Sequence, residues 1–411
     1  MDTEDDDELK RIYQDIEPSL TDKDERDFYP WHKPRKHYLR IHQWCAEVQK
    51  LIQHNNYQEG EVIRYLGFPG EDFLDIRVLR GVCEKAKVKL RYLGFDRSEW
   101  KRQPSTKPDA AAQLTGHSKR EFLFNLAKHE VFNLGFIQMP SYVLKDDFCV
   151  LANVNSIAYR ETSNFRDFDI INIDLCDSLA SPSEVEYAPY FEAIKQLCDL
   201  QVTGRTTPWI LFLTTRAIRD QLDRETKQKL FNCVLENVTS HGDFASELAK
   251  TLSLDYGKIS GEIAETEKLD HGPLVSLFGL SIGKWLLKMM MEATPKLKVK
   301  LLKSYSYRVE IDEPDMLSLA FSFEPHVNKP VDRSGLTKAA STDNTNPDER
   351  QLAIELLQAF GGIQDIDDFL HKDDALHTKM TDKCADMLAS VHYDEDSYKK
   401  WVQENRWCPS K

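Results

Sequence analysis

Asp174 ends the apolar run Phe168-Asp169-Ile170-Ile171-Asn172-Ile173. If that run is a buried strand, the carboxylate stands at the carboxyl edge of a parallel sheet and points toward whatever the crevice there holds. Other positions suit the same crevice. Gly67 and Gly70, in Leu66-Gly67-Phe68-Pro69-Gly70, let backbone approach a ligand closely, and Pro69 keeps Phe68 extended. Asp96 closes a second apolar strand, where its two oxygens suit both hydroxyls of a ribose. Asp146 or Asp147 could accept from an adenine amino group, although acids there also suit an ordinary turn. A glycine turn after the first strand, acids at the second and third and an aspartate ending the fourth together describe a nucleotide-binding doubly wound sheet.

A second group of residues suits a polyanion. Tyr29 to Trp44 interleaves four Lys/Arg and three His with four aromatics and contains no acid. Lys33, Arg35, Lys36 and Arg40 could meet phosphates while Trp31, Tyr38 or Trp44 stacks on bases, which makes residues 29–44 a candidate contact for RNA or DNA. The alternative is a helix whose aromatic face packs on the main domain while its charges are solvated or pair with the acidic residues before it. Cys176 would need an activating base to act as a nucleophile, and the sequence identifies none. The 8 cysteines form no C-x-x-C pair or Cys/His cluster at zinc spacing, so reduced thiols and no metal are expected. Met289 to Met291 read as core filler.

The elements that must position these residues follow from periodicity. The 411 residues carry a net charge of −14, of which residues 1–27, with 12 acidic and 4 basic side chains, contribute −8. That acidic lead is expected to stay mobile, and the overall balance argues against wholesale electrostatic capture of nucleic acid. No apolar run approaches the roughly 20 residues of a membrane helix and no signal peptide is evident, so a cytoplasmic protein without membrane contact is expected. Residues 28–58 read as a basic, aromatic helical segment that runs through about Leu51 after a turn at Pro34. Strands are expected at Val62–Leu66, Val88–Asp96, Asp146–Leu151, Phe168–Leu175 and Trp209–Thr215. The helices between them start at Glu71–Asp72, Arg120 and Pro189, and Gln103 to His117 reads as a loop. Near-continuous apolar strands separated by helices imply a parallel sheet covered on both faces. About 75 mostly helical residues follow Arg216. Lys298–Val309 and Met316–Phe323 then form an antiparallel hairpin around an acidic turn. A polar linker at 326–346 leads to a small helical domain at 347–411, opened by Asn346 as N-cap, and this domain could bind a protein partner. The expected fold is thus α/β, a Rossmann-like doubly wound, mostly parallel sheet over residues 60–325 with a terminal antiparallel hairpin.

This order of elements resembles the class I S-adenosylmethionine-dependent methyltransferases and, distantly, the tRNA guanine dimethyltransferases; the basic opening also resembles uncharacterised bacterial proteins. The resemblance covers roughly residues 60–325. It rests on Leu74 to Arg80, Asp146-Asp147, Phe168 to Ser178, Pro208 to Arg216 and Lys300 to Arg308. It implies S-adenosylmethionine as cofactor, with Gly67, Phe68 and Gly70 at its methionine end, Asp96 at its ribose, Asp146 or Asp147 at its adenine and Asp174 as the catalytic residue of the methyl-transfer crevice. The sequence departs from that family after Asp174, where Leu175, Cys176 and Asp177 replace proline, an aromatic residue and glycine. Two functions are therefore expected as alternatives: a methyltransferase acting on nucleic acid with a divergent catalytic motif, or a catalytically inactive relative serving as a binding subunit of a larger assembly. A dinucleotide-dependent oxidoreductase ranks last, because the turn at Gly67 is not G-x-G-x-x-G and that class does not explain the hairpin.

Overall fold

The computed structural model describes residues 26–96, 123–183, 189–326 and 348–406. The acidic lead up to residue 25, the 103–117 loop, most of the 326–346 linker and Asn346 lie outside the described residues.

One sheet dominates. Its strands are β1 (Val62–Gly67), β2 (Lys89–Phe95), β3 (Tyr142–Leu144), β4 (Ile170–Asp174), β5 (Trp209–Arg216), β6 (Leu297–Leu301), β7 (Tyr305–Tyr307), β8 (Met316–Pro325) and β9 (Gln364–Asp365). Their order is β3-β2-β1-β4-β5-β8-β7-β9, with β6 also paired to β8. Strands β1 to β5 are mutually parallel, and β8 runs antiparallel to β5, β6 and β7. The fold is α/β and Rossmann-like, as the alternation of apolar strands and helices requires. Strand order reverses between β1 and β4, where a doubly wound sheet opens a crevice beyond its carboxyl ends.

The expected third strand at Asp146–Leu151 is displaced. The strand is Tyr142–Leu144, and Phe148–Ala152 is a 3-10 turn whose N-cap is the Asp147 side chain, which accepts from Cys149 N at 2.8 Å. The hairpin's first arm is broken at Leu302–Ser304. There Gln43 Nε2 donates to Lys303 O at 3.0 Å and to Ser318 O at 2.8 Å, filling the gap with a side chain. The helix over Glu349–Phe360 is capped by Asp348, whose side chain accepts from Arg350 N; the expected cap Asn346 and first residue Pro347 lie outside the described residues.

The helices are α1 (α-helical over Pro34–Leu39 and Ala46–His54, π-helical over Arg40–Cys45), α2 (Leu74–Ala86), α3 (123–132), α4 (Ile157–Phe165), α5 (Pro189–Gly204), α6 (Arg224–Ser240), α7 (Gly242–Leu252), α8 (Ile259–Ala264), α9 (His271–Glu292), α10 (Glu349–Phe360), α11 (Ile366–Lys372), α12 (Asp374–Ala389) and α13 (Glu395–Glu404). Alternation along the strands splits the core in two. Ile63, Tyr65, Leu90, Tyr92 and Phe212 pack with Trp44 and Val48 of α1 and Ile76 and Leu79 of α2. Leu66, Leu93, Ile171, Ile173 and Leu213 face the other side, with α5 to α10. Helix α9 is long and apolar enough to span a membrane, which the sequence reading did not register, but it is 72% buried inside the fold as a core helix. Its Lys284 forms an ion pair with Glu349 at the start of α10.

The first described helices pack against the last ones. Leu39 of α1 packs with Tyr305, Tyr307, Ile366 and Met380, and Leu74 of α2 packs with Leu388, Tyr393 and Tyr398. Tyr398 donates its hydroxyl to His32 O at 2.6 Å.

Candidate functional site

A cleft of about 580 Å³ opens beyond the carboxyl ends of β1, β2, β4 and β5. One side is lined by Phe68, Pro69 and Gly70 after β1, Asp96 after β2, and Asp146, Asp147 and Phe148 after β3. The same cleft is lined by Trp31, Lys36, Arg40 and Trp44, with Asp174, Tyr190, Arg216 and Tyr307. Asp96, Asp174 and Arg216 share this cavity because parallel strands deliver their last residues to the same edge, and α1 and β7 bring the remaining wall to it.

The glycines divide. Gly70 has φ +59°, which favours glycine, and a Cβ there would meet nothing within 4 Å, so its backbone faces open space. Gly67 does not line the cleft. A Cβ at Gly67 would stand 2.6 Å from the Tyr65 ring, so close packing on Tyr65, rather than ligand approach, explains the missing side chain. The acids that were expected to open the next helix are also placed differently. Helix α2 begins at Leu74, and Asp72 is buried before it, accepting from Arg26 at 2.8 Å and Tyr393 at 2.9 Å. Burial alone would raise its pKa, but the combined bonds and charges of His32 and Arg26 hold it below the usual range.

The basic strip is not a solvated surface. Lys33, Arg35, Lys36 and Arg40 are each at most 5% exposed, whereas Trp31 is 38% exposed. Arg35 Nη1 bonds Asp367 Oδ1 at 2.9 Å, and Lys33 and Arg35 line a separate small cavity with Asp367 and His377. Lys36 Nζ reaches Asp174 Oδ1 at 2.5 Å and lies 5.1 Å from the Trp44 ring centre. Arg40 Nη2 donates to Trp31 O at 3.1 Å. Lys36 and Arg35 are thus paired with acids of the sheet edge and of α11, partners that the expected pairing with the acidic lead did not include.

Asp174 therefore sits in the cleft with one oxygen held by an ammonium and its side chain 24% exposed. Cys176 is exposed, but desolvation by the surrounding protein and then the Asp174 carboxylate push its thiol up, the wrong direction for a nucleophile. No group of His, Cys, Asp or Glu suited to a metal occurs among the described residues.

The sequence reading missed a polar relay behind Asp174. Asn172 Nδ2 donates to Tyr65 Oη at 2.9 Å, and Tyr65 Oη donates to Asp75 Oδ2 at 2.5 Å. Asp75 lines the cleft, and burial pushes its pKa up to about 6. An asparagine inside an otherwise apolar strand, two residues before Asp174 and so on the same face, was the available signal. Arg216, the last residue of parallel β5, carried the same strand-end signal as Asp174, whereas Tyr190 and Tyr307 lie on a helix and on an antiparallel strand and carried none.

Among solved structures, an rRNA methylase from Streptococcus thermophilus is similar at 12% identity, covering 70% of this chain and 96% of that one with a TM-score of 0.29. No curated protein matches. The model of the family described as PP_RS20740-like matches residues 25–403, nearly the whole described chain, and the protein belongs to that family.

Proposed function

We propose that this protein is an S-adenosylmethionine-dependent methyltransferase that methylates an amino nitrogen of a planar acceptor, with a nucleic-acid base as the expected substrate. The observation that carries the reading is the single cleft at the switch point, which gathers Gly70, Asp96, Asp146, Asp147 and Asp174 in the order a nucleotide-binding crevice requires. The antiparallel β8 between β5 and the β6/β7 arm supports the same reading by fold analogy.

The residues present fit the cofactor. Asp96 puts a carboxylate in the cleft, a group suited to ribose hydroxyls, and Asp146 and Asp147 add carboxylates suited to the adenine amino group. The open space over Gly70 lets the turn's backbone approach the methionine portion. When bound, S-adenosylmethionine supplies the electrophilic methyl group. Asp174, with Oδ1 held by Lys36, turns its second oxygen to an acceptor N–H, fixing the amine so that its lone pair faces the methyl donor, and the proton then leaves to water. Trp31, 38% exposed, offers a ring to a flat acceptor, whereas Trp44 and Tyr307 are nearly buried in the cleft wall. Catalysis on this reading comes from alignment of two reactants. With Lys33, Arg35, Lys36 and Arg40 buried, contact with nucleic acid rests on stacking more than on phosphates, and its salt dependence is expected to be shallow.

A second reading, a methyltransferase-like binding subunit without activity, draws on one observation. The Lys36–Asp174 pair occupies the carboxylate, and Leu175-Cys176-Asp177 follow it. Calorimetric titration of the full chain with S-adenosylmethionine and S-adenosylhomocysteine tests the proposal. Micromolar binding that Asp96→Ala weakens at least about tenfold supports it. No binding by folded protein refutes it and leaves the second reading, with α10–α13 as a candidate protein-binding region.

A further inference from the structure

The wall that α1 presents to the cleft carries more hydrogen-bond donors than the protein satisfies. Lys36, Arg40 and Trp44 lie four residues apart and all line the cleft. Lys36 is spoken for by Asp174. Arg40 is 4% exposed and Trp44 is 3% exposed, yet Arg40 Nε and Nη1 and Trp44 Nε1 have no hydrogen-bond partner among the described residues. The Arg40 bond to Trp31 O uses Nη2 alone. A buried guanidinium with two idle nitrogens is costly unless a ligand completes it.

The backbone here is built to hold those donors in place. Arg40–Cys45 is π-helical, a rare geometry that recurs at functional sites. Gln43, inside that turn, is locked to the sheet through Lys303 O and Ser318 O and accepts the Ser318 hydroxyl at 2.7 Å. Asp75, in the first turn of α2 beyond Gly70, lines the same cleft as Arg40 and Gly70.

We propose that Arg40 and the indole N–H of Trp44 form a carboxylate seat, and that its occupant is the carboxylate of the amino-acid end of S-adenosylmethionine. The inference rests on the cofactor reading above. A carboxylate presents two oxygens in the plane of the guanidinium fork, which a hydroxyl or an amide does not. A phosphate of the acceptor offers the same oxygens, so the experiment must separate the two sources.

The test is calorimetric titration of the full chain with S-adenosylmethionine and with its decarboxylated analogue. Wild type is expected to prefer the carboxylated form by roughly tenfold to a hundredfold. Arg40→Gln should abolish that preference while leaving the affinity for the decarboxylated analogue within about threefold. Trp44→Phe, which keeps a ring and deletes only the N–H, should shrink it several-fold and serves if Arg40→Gln fails to fold. Equal binding of both ligands by wild type, or a preference retained in both variants, overturns the seat while leaving the cofactor reading intact. Failure of wild type to bind either ligand refutes the cofactor reading, and the carboxylate seat with it. Selective binding of guanosine 5′-monophosphate over guanosine that is lost in Arg40→Gln, without any carboxylate preference, assigns Arg40 to an acceptor phosphate and overturns the proposal.

Discussion

Arg35→Met discriminates between a basic strip that binds nucleic acid and one that holds the fold together. Arg35 Nη1 meets Asp367 Oδ1 at 2.9 Å, with side chains 6% and 10% exposed. Removing one member of a buried pair costs about 3–5 kcal/mol, because a charge is left without compensation. Two features reduce that here. Asp367 Oδ2 keeps the Arg308 N–H at 2.7 Å, and the carboxylate lies in the first turn of α11, where the backbone dipole favours negative charge. The expected loss is therefore about 2–4 kcal/mol. Adding Asp367→Asn removes the stranded charge and should restore about 1–2 kcal/mol of it. Urea unfolding followed by far-UV circular dichroism measures the stability, and anisotropy of a labelled single-stranded RNA at low salt measures binding. An unchanged unfolding midpoint together with weakened RNA binding would refute the structural role and restore Arg35 as a phosphate contact.

Other expectations are independent of that pair. Asp174→Asn should reduce methyl transfer by at least roughly a hundredfold while changing S-adenosylhomocysteine affinity by less than about threefold; a parallel loss of both would make Asp174 a binding residue. Gly67→Ala forces the new methyl group toward the Tyr65 ring and should cost about 1–3 kcal/mol in urea unfolding without a selective loss of cofactor affinity. Burial, followed by the charges of Arg40, Lys383 and His42, pushes His37 down to about 3, and burial pushes His377 down to about 4. Each histidine therefore stays neutral in the folded chain while the unfolded chain takes up a proton below about 6.5, so stability should fall by up to about 1.4 kcal/mol per pH unit per histidine as the pH drops from 6.5 toward 4. Asp75, raised to about 6, acts in the opposite sense: its folded form binds the proton first, so its contribution grows as pH falls from 6 toward 4. The difference between wild type and His37→Phe isolates the histidine, and a pH-independent difference would remove His37 from this account.

The amino-acid sequence by itself determined the alternation of strands and helices, because residues 168–174 and 209–216 are apolar over a length that only a strand covered on both faces uses. It also placed Gly70, Asp96 and Asp174 at one edge, since parallel strands end together whatever their spacing in the chain, whereas Asp146 and Asp147 reach the cleft because the third strand ends at Leu144, ahead of them. The pattern of cations and aromatics in Tyr29 to Trp44 was equally visible, but its meaning was not. Lys36 finds Asp174 138 positions away, and Arg35 finds Asp367 332 positions away. No local pattern encodes such a partner, so a run of basic residues reads as a surface until the fold supplies its acids. The same holds for Gly67, whose need for a missing side chain comes from where the Tyr65 ring turns, and for the break at Leu302–Ser304, which Gln43 fills from another element. Periodicity reports which face of an element is buried. Only the tertiary structure decided which charges are neutralised, which buried donors find no partner among the described residues and which bonds tie the first described helix to α11–α13.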